Sequence, residues 1–304
     1  MTFASLSDCE VIIVNYNAGS LLIACVGSAL SQDVGHVVVV DNASSDDSLS
    51  VLERTLPEES RLRIIRNGEN LGFAKACNVG ARASSGRYLL FLNPDATLEE
   101  GALDRMFNVL TSGPDIGMVG GVLCNPDGTE QAGGRRGFPT PRRAFIRAFG
   151  LSSLVRIFPR LFSDFLLHKE PLPRAPVPVE AISGACMLVK REAMEDVGFW
   201  DEAYFLHCED LDLCMRFRQK GWKILFVPDA HVTHHRGTCS RSRPIFVEWH
   251  KHKGMMRFYR KFFRHQYPGV LMGLVAVGVW LRFGLVAGYY TLKRAKRVLR
   301  RGRG

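Results

Sequence analysis

Three short stretches of the chain carry groups able to grip a phosphate or move a proton. Asn93-Pro94-Asp95 follows the apolar run Tyr88–Leu92, where proline ends a strand and leaves Asp95 projecting beyond it. One hard carboxylate together with phosphate oxygens suits Mg2+ or Mn2+, ions that seldom need a full protein cage. His207-Cys-Glu-Asp-Leu-Asp-Leu-Cys-Met-Arg216 opens a helix, with Glu209 and Asp210 where the helix dipole favours negative charge. A surface cap needs a single acid, whereas Asp201, Glu202, Glu209, Asp210 and Asp212 crowd together beside Trp200. One of them could take a proton from an attacking hydroxyl. His234-His235-Arg236 supplies imidazole and cation, which with Asp95 and a diphosphate would complete a metal or phosphate site.

Two further tracts imitate such chemistry. Asn125-Pro126-Asp127 repeats the earlier tripeptide, but Gly128 makes it a hairpin turn. Asp210-Leu-Asp212 is literally D-x-D, yet side chains two apart on a helix diverge by roughly 200° and cannot chelate together. Asp41 has two roles open to it at the end of the run 37–40. It can cap the turn Asn-Ala-Ser-Ser, or accept from a base edge or a ribose hydroxyl.

These residues need a frame that brings them to one edge. Apolar runs at 11–14, 37–40, 63–65 and 88–92 alternate with helical spacing over Leu21–Leu30, 48–56 and 74–83. Such alternation predicts crossover connections and an α/β, doubly wound, mainly parallel sheet whose ligands bind beyond the carboxyl ends of the strands. Asn15 and Asn17, Asp41, then Asn93 and Asp95 all fall at those ends. A strand at 117–123, a helix at 210–220 stopped by Gly221 and a strand at 223–227 follow. Residues 135–179, rich in Pro and Arg, read as an irregular insertion or flap outside the sheet.

With 304 residues and 46% hydrophobic content the chain can bury a large core, which excludes a disulfide-stapled miniprotein and a disordered tail. Eight cysteines without any CxxC pair suit neither a zinc module nor a disulfide framework. The absence of GxGxxG argues against a nicotinamide or flavin enzyme. The opening segment MTFASLSDC lacks a basic lead-in and a cleavage site, so a reducing, cytoplasmic address is expected. Net charge is +10, but residues 245–304 hold 14 of the 40 basic residues and one acid, Glu248, so the body 1–244 is slightly acidic. A basic, apolar tail on an acidic body favours an anionic membrane surface over nucleic acid. Within it, residues 271–290 are long enough to span a bilayer but carry Arg282 near the middle, with basic flanks on both sides. A helix lying in the inner membrane interface is expected, ahead of a single span or a hairpin packed on the body.

Taken in order, VIIVNYN (11–17), VVVVDNASSDDS (37–48), NLGFAKACNVG (70–80), YLLFLNPDA (88–96), GACMLVKR (184–191), GFWDEAYFLHCEDLDLCMR (198–216) and HHRGTCS (234–240) resemble glycosyltransferase family 2, nearest its bacterial rhamnosyltransferase-like branch. The resemblance implies a GT-A fold and inverting transfer of a sugar from a dTDP- or UDP-type donor to a hydroxyl, on a glycan or lipid-linked acceptor. By it, Asp41 contacts the nucleobase, and Asn15, Asn17, Asn70 and Gly72 line the nucleotide site. Asp95 matches the metal-binding carboxylate of the family's D-x-D element. Asn93 stands at its first position, on the nucleotide side, which leaves one carboxylate for the divalent metal. Asp210 matches the general base, Glu209 its orienting neighbour, and His234 the histidine near metal and diphosphate. Gly184, Ala185 and Trp200 fall in the segments that meet acceptor and donor sugar. An inactive nucleotide-sugar-binding scaffold and a nucleic-acid-binding protein acting through the tail are the competing functions.

Overall fold

A computed structural model of the chain describes residues 4–143, 167–235, 237 and 243–301. The middle of the expected insertion, and Arg236 with residues 238–240 of the last motif, lie outside the described residues. Contacts divide the chain into two units, each with its own interior.

The first unit comprises residues up to Phe138, Phe165–Phe205 and Glu209–Cys239. Its frame is a sheet with, among the described residues, nine strands. The first four are β1 (Cys9–Asn15), β2 (His36–Asp41), β3 (Leu62–Arg66) and β4 (Tyr88–Leu92), joined by α1 (Leu21–Leu30), α2 (Ser48–Thr55) and α3 (Phe73–Ala83). They pair in parallel in the order β3-β2-β1-β4. β1 and β4 are buried along their whole length, as unbroken apolar strands covered on both faces must be. Beneath them α1 buries Leu22, Cys25, Val26, Ala29 and Leu30 on one side of the sheet, while α3 turns Ala74, Ala76, Cys77 and Ala81 inward.

The second half is mixed. After β5 (Ala96–Leu98), α4 (Ala102–Thr111) and β6 (Ile116–Cys124), the chain forms β7 (Arg135–Arg136), β8 (Val177–Pro178), β9 (Ala181–Ile182), β10 (Cys186–Lys190), α5 (Arg191–Val197), α6 (Glu209–Gln219) and β11 (Lys223–His234). β10 runs antiparallel between β4 and β6, so its first residue, Cys186, lies opposite the last of β4, Leu92. This reversal carries the segment just before β10, Gly184-Ala185, to the same sheet edge as Asn93. β11 is longer than the expected 223–227 because a register shift between Phe226 and His231 takes Pro228 out of the ladder, and pairing resumes to His234. β5 then pairs antiparallel to β11 with His234 opposite Ala96, beside Asp95. The stretch expected to lie outside the sheet is tied in at its described ends. Val177–Pro178 pairs with β11, and Arg135–Arg136 pairs with β9 in a separate two-stranded sheet.

The second unit includes α7 (Pro244–Phe263), α8 (Gly269–Arg301) and residues Leu206–Cys208. α7 and α8 meet through Trp249, whose ring centroid lies 5.2 Å from that of Trp280 and 5.5 Å from that of Phe283. Arg282, near the middle of α8, is exposed. Within α8 an 18-residue stretch of Gly269–Lys296 has mean hydropathy 2.1, and the helix is long enough and apolar enough to cross a membrane. Along it Val270, Leu274, Val277, Leu281, Leu285 and Leu292 make an exposed stripe at helical spacing, each at least 56% exposed.

Candidate active site

The carboxyl ends of β1 and β2 are locked together before any ligand arrives. Asn15 faces Asp41 in register, and its Nδ2 donates to Asp41 Oδ1 at 2.8 Å, Ser44 Oγ at 3.1 Å and Ser48 Oγ at 2.9 Å. Asp41 Oδ2 accepts from the Ser44 N–H, so the carboxylate does cap its turn, and it is buried while doing so. Asn17 adopts a left-handed φ of 54°, and its Oδ1 accepts from the N–H groups of Ser45 and Asp46. One strand further, Asn42 Nδ2 donates to Asn70 Oδ1 and to the Gly72 carbonyl, while its Oδ1 accepts from Asn67 and from the Leu71 N–H. Asn42 is thus the hub of this corner, and only its place directly after Asp41 marked it. Gly72 is held at φ 82° and ψ 170°, a conformation that only glycine adopts readily, and an added Cβ would lie 2.6 Å from the Phe205 carbonyl oxygen.

At the end of β4, Asp95 and His234 meet. His234 Nε2 lies 3.2 Å from Asp95 Oδ1 and 3.3 Å from Asn93 Nδ2; His234 and Asp95 are buried and Asn93 is half-buried. The other ring nitrogen, Nδ1, is 2.7 Å from Gln131 Oε1. A neutral imidazole that donates through Nδ1 turns the Nε2 lone pair toward a carboxylate oxygen. Two such acceptors repel unless a proton or a cation lies between them. The pair therefore suits one divalent ion, with remaining positions left to water and phosphate oxygens. Among the described residues no cluster of three or more His, Cys, Asp or Glu side chains offers a fuller cage.

The acidic tract at the start of α6 sorts itself by partner. Glu202 accepts from Asn78 and Arg82, Asp201 from the Ala203 N–H, and Asp212 turns into the interior onto Arg216 at 2.6 Å. Asp210 points the other way, as its spacing from Asp212 requires. Its Oδ2 pairs with Arg136 of β7 and accepts from the Gly184 N–H at 3.2 Å, while Oδ1 accepts from the Leu211 N–H. Arg136 Nε has no hydrogen-bond partner among the described residues. Burial, and then the adjacent Asp210 charge, pushes the Glu209 carboxyl up to about 8. Trp200 is 2% exposed, with its ring edge-on to Phe73 and Phe91 at centroid distances of 5.8 and 5.1 Å. It forms a floor, packed 3.8 Å from where a Cβ on Gly184 would sit, rather than an open stacking face.

The two acidic centres are joined by backbone. The Asn93 N–H donates to the Ala185 carbonyl at 2.9 Å, and the neighbouring Gly184 N–H donates to Asp210. Asp95, His234, Asn93, Ala185, Gly184 and Asp210 thus form one connected wall at the carboxyl edge of the sheet. Arg136, Gln131 and Asn42 are the members that sequence patterning missed, since Arg136 sits 74 residues from Asp210 and Gln131 103 from His234.

The raised Glu209 pKa has a consequence for stability. An acid titrating higher folded than unfolded makes the unfolded state bind fewer protons through that window, so stability falls as pH rises from about 4.3 toward 8. Glu209→Gln removes that dependence. Its Tm relative to the native chain should match near about pH 4 and climb steadily by about pH 8. A difference that stays constant across the range would contradict the burial argument.

A mixed sheet of this order with an acidic carboxyl edge defines the GT-A class of nucleotide-diphospho-sugar transferases. The fold is shared by a mannosyltransferase from Pyrobaculum calidifontis in complex with GDP-Man and Mn2+ (TM-score 0.57, 18% identity, 89% of this chain and 68% of that one). It is shared too by S. aureus TarS 1-349 in complex with UDP-GlcNAc (TM-score 0.55, 16% identity, 88% and 70%). The chain matches glycosyl transferase family 2 over residues 10–198, and glycosyl transferase family group 2 over 156–294. It belongs to glycosyl transferase family 2 and is a glycosyltransferase. It is 30% identical over 250 residues, 77% of its length and 78% of the relative's, to an N-acetylglucosaminyl-diphospho-decaprenol L-rhamnosyltransferase of Mycobacterium tuberculosis. It is 33% identical over 98 residues, 29% of its length and 37% of the relative's, to rhamnosyltransferase WbbL of Escherichia coli.

Proposed function

We propose that this glycosyltransferase moves a sugar, rhamnose, from a dTDP- or UDP-linked donor to a hydroxyl of a lipid-linked glycan, inverting the anomeric centre in one displacement. The observation that carries this is the connected wall from Asp95 to Asp210. It offers a diphosphate-side carboxylate and a base, and among the described residues no third group stands out as a nucleophile for a double displacement. Rhamnose and the lipid-linked acceptor are supported by the similarity to the decaprenol-linked rhamnosyltransferase.

The nucleoside end is assigned to Asp41, with Asn15, Asn17, Asn42, Asn70 and Gly72 shaping the loops around it. Asn93, Asp95 and His234 face the diphosphate, and Asp95 with His234 would hold Mg2+ or Mn2+. When bound, the cation neutralises charge on the departing diphosphate. Gly184 and Ala185 form the floor at the transfer point, with Trp200 supporting it from beneath. Asp210 receives the proton of the attacking hydroxyl, and its Oδ1 keeps one lone-pair direction open for it. Arg136 and the Gly184 N–H hold Oδ2 in place, which fixes the carboxylate's rotation. Glu209, neutral at pH 7 by its raised pKa, keeps a second negative charge away from the base.

α8 is assigned to the inner membrane surface, with its stripe from Val270 to Leu292 in the acyl boundary and basic side chains of α7 against anionic headgroups. Vesicles containing anionic lipid should float the protein, and Leu274→Lys/Leu281→Lys should leave it at the bottom of the gradient. Equal flotation of both, or capture by duplex DNA in preference to vesicles, would overturn the assignment.

A panel of nucleotide sugars screened by thermal shift, with and without Mn2+, tests the function. dTDP- or UDP-linked donors should raise Tm, more so with the ion, and the stabilising donor should be turned over with a lipid-linked acceptor. No shift with any nucleoside diphosphate would contradict it.

A further inference from the structure

The turn at 125–128, which resembles the Asn93 element in sequence but bears no ligand-holding geometry, has a use of its own. It is tight: the Gly128 N–H donates to the Asn125 carbonyl at 2.8 Å and the Asn125 N–H to the Thr129 carbonyl at 2.8 Å. Asn125 Nδ2 donates to Thr129 Oγ1 at 2.9 Å, which leaves Asn125 Oδ1 as an acceptor aimed inward. Gln131 Nε2 meets that oxygen at 3.0 Å and donates also to the His234 carbonyl at 3.1 Å. With both hydrogens directed at carbonyl oxygens, the Gln131 amide cannot be flipped without setting oxygen against oxygen. Its Oε1 is therefore the atom facing His234 Nδ1 at 2.7 Å, and an amide oxygen can only accept. Gln131 is buried to 4% exposure, and its own N–H is anchored on the Leu123 carbonyl at 2.7 Å, so the amide has little freedom to turn away.

We propose that Gln131, braced by Asn125, is a positioning residue that holds His234 as the Nδ1–H tautomer and so presents the Nε2 lone pair beside Asp95 to a divalent cation. This rests on the reading that Asp95 and His234 take that cation. A histidine fixed through its distal nitrogen loses no ring orientation on binding, and partners of this kind typically alter metal affinity by about 10–100-fold.

The test uses the full-length protein, Mn2+ alone as the probe, and no turnover. Gln131→Met keeps the side-chain volume and removes both amide functions. In metal-free protein, 15N shifts of the His234 ring should report Nδ1–H in the native chain. In Gln131→Met they should report a tautomer mixture. Mn2+ titrated by electron paramagnetic resonance should bind about 10–100-fold more weakly to Gln131→Met. Asn125→Ala, at a half-buried turn position that does not threaten folding, should weaken binding in the same direction by a smaller factor. Unchanged tautomer and unchanged Mn2+ affinity in Gln131→Met and Asn125→Ala would overturn the proposal. Native-like Mn2+ binding by His234→Ala would instead overturn the metal reading beneath it, and the metal-free 15N shifts would then still decide whether Gln131 sets the ring.

Discussion

Asp210→Asn is expected to lower kcat for sugar transfer by about 10²–10⁴-fold, the usual worth of a positioned general base. Donor affinity should be nearly unchanged. Asparagine fills the same space, and with its one carbonyl oxygen in the place of Oδ2 it still accepts from the Gly184 N–H. It cannot take a proton, and its carbonyl oxygen meets Arg136 without a full charge to offer. The loss should therefore fall on kcat, with the donor KM within a few-fold of native and Tm little altered. Full transfer by this variant would point to an inactive-site reading of Asp210, and to another base altogether.

Asp95→Asn should cost a comparable factor for a different reason. Charge stabilisation on a leaving diphosphate is worth several kcal/mol, and each 1.36 kcal/mol is tenfold in rate, so about 10²–10³-fold is expected. Asn93 already stands where a second carboxylate would sit, leaving Asp95 as the one anionic side chain in its tripeptide. The variant keeps the fold's anchor in this corner, because the Asp95 carbonyl, not its side chain, receives the His235 N–H at 2.8 Å. Its defect should deepen at low Mn2+ and be partly relieved by raising the ion's concentration. A defect indifferent to Mn2+ would separate Asp95 from any metal.

Much of the frame was legible in the sequence because buried parallel strands have no polar face to break their runs. Cys9–Asn15, His36–Asp41 and Tyr88–Leu92 each announce themselves as apolar tracts ending in polar residues, and those ends are where the site lies. The sequence was less explicit where local rules compete. Pro228 reads as a strand terminator, but a register shift absorbs it, and the strand goes on to deliver His234. Nothing in the composition of 186–190 announces that this strand runs antiparallel, although that reversal is what brings Gly184 beside Asn93. Trp200 carries an aromatic ring in an acidic tract, which suggests a sugar-facing role, yet its size and the neighbouring Phe73 and Phe91 draw it into the core. Arg136 and Gln131 had no pattern to betray them. Each acts on a partner far along the chain, and a single polar residue in an irregular stretch has no period. Arg282 is costly on the apolar face of a helix, but it follows Leu281 by one residue, about 100° further round, and so leaves the stripe from Val270 to Leu292 uninterrupted.

The most direct measurement of the central claim, that Asp95 serves the diphosphate and Asp210 the proton on one bound donor, is a calorimetric titration of the nucleoside diphosphate with and without Mn2+. It would be made in parallel on the native chain, Asp95→Asn and Asp210→Asn. Mn2+ should tighten binding to the native chain and to the transfer-deficient Asp210→Asn equally, and should do nothing for Asp95→Asn. Equal tightening in all three proteins, or its loss in Asp210→Asn alone, would contradict the account.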